Sequence, residues 1–551
     1  MRFYKFLDIC FSKVGITKAF GVPGSLIMPI WQNLEETEIV LCSHEQEAAY
    51  IAEGYSKISH KPVAILSTGG PGAINSIAGV AASNLDSVPM IFVSGRTECC
   101  KAGCGMRQEE GISDRNFDSV IMTACTTKLS LAINSPDELI PKTLRVIKTA
   151  ILNRKGSTHI SLPVDLQSYE IDDSKAKVAL QELDFHRNNF KCDYSIYNEI
   201  IHNDCKSIII VGWGCWQGDC IDEIYQLSSK IDAPILFTSK AYCCMKDYDK
   251  CLGKLGYGIN DVLLDFISQY SPQRVLAFGT SMSEKDFSDS IKNVIEKSEI
   301  FVFSNAVNDS RVHLPQAKWC EIDNLKEFVK YYIQNCNMVF FNHHKTPREI
   351  YEIQFNTYLS MISDFDKMAD MLCVLNDYME SDVVVNADAG NNLLNVATLI
   401  KPKNIFNLFL DDGIRAMGSG LCQIAGMAFA NTAKRYIAIV GDGGILMNGN
   451  VLYFIKKHNL PILVIIFDNN SLGRVRIGQL LTKNYVESDL GNVDFISYAE
   501  SFGIEAYQVN DKNDFSNHIC SFLQNRMPKV VCIKTNKDEI PISLKLKGTW
   551  N

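Results

Sequence analysis

An apolar β-like run, Tyr436-Ile437-Ala438-Ile439-Val440, leads without a break into Gly441-Asp442-Gly443-Gly444. A helical pattern from Asn450 to His458 follows. Pro461 then precedes a second apolar run, Ile462 to Phe467, which ends in Asp468-Asn469-Asn470-Ser471-Leu472-Gly473. Strand, glycine turn, helix, strand, polar turn reads as one parallel crossover unit. Both polar turns then lie at the carboxyl edge of one sheet, where open α/β sheets bind ligands. Asp442 and Asn469 stand 27 residues apart, one such unit, and can meet at one point. A carboxylate and an amide oxygen are hard ligands that suit Mg²⁺. Glycines let backbone N–H groups approach a phosphate, and a helix N-terminus favours its charge. Taken singly, G-D-G and D-N-N are ordinary turn chemistry. Together, each behind an apolar strand, they read as a site for a metal-bound diphosphate.

The rest of the chain extends the α/β alternation, which predicts parallel sheets. A first block, residues 1–170, holds the strand Pro62 to Ser67, the turn Thr68-Gly69-Gly70-Pro71-Gly72, a helix to Asn84 and a strand from Val88 to Ser94. The polar stretch from Asp172 to about Tyr194 reads as a linker. A middle block, 190–340, opens with Ser207 to Val211 and continues with strands at 234–237, 274–278 and 300–303. A second polar stretch, Asn342 to Arg348, precedes a final block, 355–540, whose first strand is Val383 to Asn386.

The 551 residues carry 54 Lys plus Arg against 63 Asp plus Glu, a net charge of −9, with 46% hydrophobic residues. That balance builds several cores and excludes a disordered chain. Its mild acidity argues against a sequence-independent grip on nucleic acid. No run of about 18 apolar residues predicts a membrane span. Asp8 interrupts the N-terminal run before a signal-peptide core can form. The 19 cysteines, densest at Cys99, Cys100 and Cys104, form no C-x-x-C pair. They read as reduced thiols of a cytoplasmic protein, not as a metal or disulfide framework.

The unit around Asp442 resembles the fingerprint of thiamine-diphosphate-dependent enzymes: G-D-G, a crossover, then N or N-N. His44-Glu45-Gln46-Glu47-Ala48-Ala49-Tyr50-Ile51-Ala52-Glu53-Gly54-Tyr55 is similar to the H-E-Q-x-A-A-x-x-A-x-G-Y segment of acetohydroxyacid (acetolactate) synthases. Gly21-Val22-Pro23-Gly24 and Thr68 to Asn75 resemble that family's pyrimidine-side loops. Leu162-Pro163-Val164-Asp165 resembles the end of that domain, and Ala416-Met417-Gly418 the approach to the diphosphate unit. The resemblance implies three doubly wound α/β domains: pyrimidine-binding, central and diphosphate-binding. It implies Mg²⁺ held by Asp442, Asn469 and the carbonyl of Ser471. It places the cofactor against Pro23, Gly24, Gly72, Asn75, Gly390, Asn391, Asn392, Ala416, Met417, Gly441, Gly443 and Gly444. Asp468 stands where relatives often have asparagine and adds a charge beside the metal.

By the same resemblance Glu45 is the acid/base group that hydrogen-bonds the aminopyrimidine. Its neighbour Glu47 is the rival carboxylate. Met417 would wedge the cofactor into its bent form, and most of the chemistry is the cofactor's own. The two ends of the cofactor would be gripped by different subunits, so a homodimer is the smallest active unit and a homotetramer an alternative.

The simple decarboxylase branch carries a His-His pair and an acidic residue after V-P-G. Here Ser25 follows Gly24, and His343-His344 lie in a polar stretch. Without a donor to release an aldehyde, carboligation of a 2-oxo acid, pyruvate first, to a second carbonyl compound is favoured. A non-ligating decarboxylase and acyl transfer to a keto-sugar stay open. Ser25, Arg107 and Gln108 are the candidate substrate residues. In the middle block Gly212-Trp213-Gly214-Cys215-Trp216-Gln217-Gly218 is one residue longer than the dinucleotide fingerprint, and no acidic residue follows Phe303. FAD is therefore less expected there than an empty domain. A nicotinamide dehydrogenase leaves Glu45 and Asp442 unexplained, and a non-catalytic sensor leaves Glu45 unexplained.

Overall fold

The computed structural model describes residues 1–110, 117–184, 193–202, 204–283, 286–305, 314, 316–341, 345–410, 413–480 and 482–546. Three six-stranded sheets carry the fold, and every strand pair in them is parallel. The first comprises β1 (Lys18–Val22), β2 (Glu38–Leu41), β3 (Val63–Ser67), β4 (Met90–Arg96), β5 (Leu129–Ala132) and β6 (Ser157–Pro163), in the order β2-β1-β3-β4-β6-β5. The second has β7 (Ser207–Val211), β8 (Ile235–Phe237), β9 (Cys251–Lys254), β10 (Arg274–Phe278), β11 (Glu299–Ser304) and β12 (Lys318–Glu321), in the order β12-β11-β10-β7-β8-β9. The third has β13 (Val383–Ala387), β14 (Leu408–Leu410), β15 (Arg435–Gly441), β16 (Ile462–Asp468), β17 (Glu505–Val509) and β18 (Lys529–Lys534), in the order β14-β13-β15-β16-β18-β17. Strands β3, β13 and β16 are buried along their whole length. Helices therefore cover both faces, and continuous Val/Ile runs are what such strands require.

Each sheet reverses its winding once: between β1 and β3, between β7 and β10, and between β13 and β15. At such a switch point the flanking loops splay apart and leave a crevice at the carboxyl edge. The Pro23 and Thr68 loops flank the first, and the Gly390 and Gly441 loops flank the third.

Three sequence expectations change. Asp172 to Tyr194 is not simply a linker: Asp172 N-caps the helix Asp173–Gln181, whose Ala176, Ala179 and Leu180 are buried. Asp442 and both following glycines form the first turn of the helix Asp442–Asn448. The expected segment at 450–458 is a second helix, Val451–Lys457. The helix Pro347–Leu359, with a Thr346/Glu349 capping box, begins inside the second polar stretch. No described helix is long and apolar enough to cross a membrane.

The first and third sheets are joined by a tight helix crossing. A Cβ on Gly54, in Glu45–Ser59, would lie 1.8 Å from the Gln423 carbonyl oxygen. One on Gly426, in Ser419–Ala430, would lie 1.8 Å from that of Ile51. Backbone cannot yield to a methyl group here, so Gly54→Ala or Gly426→Ala should cost about 3 kcal/mol. A lowered midpoint in calorimetry checks this. Beside the crossing, Lys57 Nζ bonds Asp86 Oδ2 (2.8 Å) and Glu53 (2.6 Å), and Lys240 Nζ from the second sheet's domain bonds Asp86 Oδ1 (2.7 Å). Gln423 donates to Glu53. Burial opposes the Asp86 charge, but Lys240 and Lys57 prevail and hold the carboxyl well below its usual range. This neutral cluster ties all three sheets together.

Candidate active site

The third sheet's crevice gathers residues from three strand ends. After β13 come Gly390, Asn391 and Asn392; after β15, Gly441 to Gly444; after β16, Asn469, Ser471 and Leu472. All line one cleft, with Met417 and Met368 on its wall. Asp442 is 5% exposed and its carboxylate accepts from the amides of Gly443 (2.8 Å) and Ser471 (3.1 Å). Asn469 Oδ1 also accepts from the Ser471 amide, at 3.0 Å. The crossover thus brings the three expected metal ligands together. Burial raises the Asp442 carboxyl to about 6, with Asp468 adding to the rise and the two amides opposing it. A buried carboxylate so placed calls for a cation.

The donor set fits Mg²⁺ and a diphosphate. Among the described residues, the buried Oδ1 atoms of Asn391 and Asn392 have no hydrogen-bond partner. Gly390 has φ 100° and open space where a Cβ would stand, which leaves room for a ligand against the backbone. Gly473 keeps the cradle small: a Cβ there would lie 2.8 Å from Nδ2 of both Asn391 and Asn469. The extra charge of Asp468 is partly offset, because Lys534 pairs with it and the Asn470 amide bonds it.

Met417 is half-buried, and its Cε lies 3.6 Å from a Cβ placed on Gly443. Ala416 stands beside it, half-buried. The loop that carries them is fixed by Asp388, a residue the sequence reading passed over. Its carboxylate, 1% exposed, accepts from Gly418 N (2.8 Å) and Gly420 N (3.0 Å). Its position between a strand end and Gly390 was the available signal. Met368 is held in turn by Glu539, which accepts from the Met368 and Ala369 amides. Burial pushes the Glu539 carboxyl up to about 7. A raised carboxyl costs stability as pH climbs from 4.5 through 7. Glu539→Gln should therefore be more stable than wild type by on the order of 3 kcal/mol at pH 8 and gain nothing below pH 4.5. Melting temperatures across pH test this.

The first sheet's crevice holds the other group. Asn75 donates to Glu45 Oε2 (3.1 Å), and a Cβ on Gly72 would sit 3.2 Å from Glu45 Oε1. Gly24 packs on Thr68, whose hydroxyl donates to Gln108 (3.3 Å). Glu110 accepts from the Gly70 amide and pins the same loop. Pro23, Ser25 and Arg107 are exposed at this edge or on this loop. Residues 111–114 of the expected substrate segment lie outside the described residues, as does His343-His344. The rival Glu47 is set apart from Glu45. It is fully buried and bonded to Ser43 and to Asn450 of the third sheet's domain.

The glycine segment of the central domain is engaged in its own loop packing. Gly212 to Gly218 form a five-residue helix with its flanks. The amides of Gly212, Gly214 and Cys215 donate to Phe278, Gly279 and Gly212 oxygens. A Cβ on Gly212 or Gly214 would strike Gly279 at 2.3 or 2.7 Å. These glycines serve loop packing.

Two crevices of this kind, one with a magnesium-type ligand set and one that holds Glu45, are what a thiamine-cofactor enzyme requires. Comparison with known proteins agrees. Residues 4–116 match the N-terminal TPP binding domain of thiamine pyrophosphate enzymes, and residues 388–533 match the C-terminal TPP binding domain. The chain thus carries matches to both TPP binding domains and is acetolactate-synthase-like. It is 26% identical to a probable acetolactate synthase large subunit of Methanocaldococcus jannaschii, covering 94% of this chain and 89% of that one. It is 25% identical to the acetolactate synthase isozyme 2 large subunit of Escherichia coli K12, covering 95% and 94%. An uncharacterised M. jannaschii protein is 23% identical, covering 98% of each.

Proposed function

We propose that the chain is a thiamine-diphosphate- and Mg²⁺-dependent carboligase: it decarboxylates a 2-oxo acid, pyruvate first, and joins the remaining fragment to a second carbonyl compound, as the name acetolactate synthase states for its relatives. The observation that carries this reading is the convergence of Asp442, Asn469 and Ser471 with Asn391 and Asn392 in one crevice. Thiamine diphosphate, when bound, supplies the carbanion at C2 that attacks the oxo acid. Asp442, Asn469 and the Ser471 carbonyl hold Mg²⁺. Gly390 to Asn392 and the Gly443 and Gly444 amides hold the diphosphate. Glu45, oriented by Asn75, holds a proton against the pyrimidine ring, and Met417 shapes the cofactor. Flavin has no part.

A second copy of the chain completes the site in this reading. Leu446, Met447 and Tyr453 are 49, 60 and 46% exposed on the two helices after Asp442, and Leu41 is 41% exposed on β2. Asn450, between those helices, bonds Ser43, so these apolar side chains neighbour the Glu45 turn. Such a patch supports an interface between copies. The double variant Leu446→Asp/Met447→Asp should sediment as a monomer and lose activity. Free thiols such as Cys10, Cys42 and Cys215 support a reducing, cytoplasmic setting.

The test is mass spectrometry of products from pyruvate mixed with aldehydes, 2-oxo acids and keto-sugars. A ligated product is expected. Acetaldehyde alone overturns ligation and favours the simple decarboxylase. No CO₂ release with cofactor present overturns the whole reading.

A further inference from the structure

The helix Gly473–Leu480 begins where the metal-binding turn ends, and it carries two arginines with opposite fates. Arg476 is buried and saturated: Nε bonds Asp538 at 2.7 Å, a terminal nitrogen bonds Asp489 at 3.1 Å, and the guanidinium lies 4.2 Å from the Tyr485 ring centroid. That is a structural arginine. Arg474 is exposed and lines the cofactor cleft. No ion pair, hydrogen bond or ring contact reaches its guanidinium among the described residues. One turn on, Gly478 shares its face, and a Cβ there would find no heavy atom within 4 Å. A free cation beside open space, on the wall of a reaction cleft, is a place for an anionic ligand.

Which anion follows from depth and from chemistry. Asp442 and Ser471 are 5% and 2% exposed, so Arg474 stands at the rim while the proposed metal ligands lie beneath. The donor's carboxylate also departs as CO₂. A cation gripping it would stabilise the ground state more than the transition state and slow the step. We infer that Arg474 binds an anionic group, carboxylate or phosphate, that persists on the acceptor, and that it sets the enzyme's preference for charged over neutral acceptors. This rests on the carboligase reading and names its acceptor class.

The holoenzyme and its Arg474→Ala, Arg474→Gln and Arg474→Lys variants are given pyruvate as donor with two matched acceptor pairs: pyruvate against acetaldehyde, and glyceraldehyde 3-phosphate against glyceraldehyde. Products are quantified by mass spectrometry, and thiamine diphosphate affinity is measured by calorimetry. Wild type should prefer the charged member of at least one pair, and which pair identifies the anion as carboxylate or phosphate. In the Ala and Gln variants that preference in kcat/KM should fall at least about tenfold, mainly through KM, with partial rescue by Lys. A wild type that prefers neutral acceptors overturns the inference, as does a preference unmoved in the Ala variant. So does a variant whose principal change is weaker cofactor binding, since Arg474 then pairs with the diphosphate. CO₂ release without ligation to any acceptor overturns the carboligase reading and this inference with it.

Discussion

Asp442→Asn is expected to erase the rise in melting temperature that Mg²⁺ and thiamine diphosphate give the wild type, and to leave the cofactor-free protein more stable than wild type above about pH 6. The two effects share one cause. The Asp442 carboxyl is raised from 3.8 to about 6, chiefly by burial. The folded state binds its proton more tightly than the unfolded state does. Stability is therefore lost as pH rises from about 4 through 6, and the full penalty, on the order of 3 kcal/mol, persists above that. Asparagine removes it. Mg²⁺ offsets the same penalty in the wild type and adds the linkage gain, about 4 kcal/mol at a thousandfold excess over Kd. Melting curves at pH 5 and pH 8, with and without both ligands, separate these contributions. A wild type that ignores the ligands, or a variant that still responds to them, sinks the assignment.

Glu45→Gln is expected to lower pyruvate-dependent CO₂ release by about 10² to 10⁴, the usual worth of a positioned acid/base group, while leaving the ligand-dependent stabilisation in place. Glutamine keeps the shape and can still accept from Asn75 Nδ2, which lies 3.1 Å from Glu45 Oε2. It cannot exchange a proton with the pyrimidine ring. The two substitutions thus dissociate: one removes binding, the other turnover. An unchanged rate in Glu45→Gln removes its catalytic role and turns attention to Glu47, whose carboxyl burial has raised.

Much of the fold was legible because its signals are local. Runs such as Ile462 to Phe467 announce buried parallel strands, and β16 is buried at every position. The Asp442/Asn469 pairing was legible too, since one crossover unit converts sequence spacing into proximity. The polar segment at 173–181 misled for a physical reason. A helix that buries only one narrow stripe shows mostly polar residues, and its Ala176, Ala179 and Leu180 are weak signals beside flanking charges.

The sequence by itself determined the strand–turn–helix–strand grammar, the glycines at the carboxyl edge of the third sheet, and the identities of Glu45, Asp442 and Asn469 as candidates. Each is encoded within a few dozen neighbouring residues. Only the tertiary structure decided which charges are used up and which are free. It set Asp468 against Lys534, locked Arg476 between Asp489 and Asp538 while leaving Arg474 open, and closed Asp86 between two lysines from different domains. Those partners lie as far as 154 residues apart in the chain, and charge neutralisation acts through space, where periodicity and spacing carry no information.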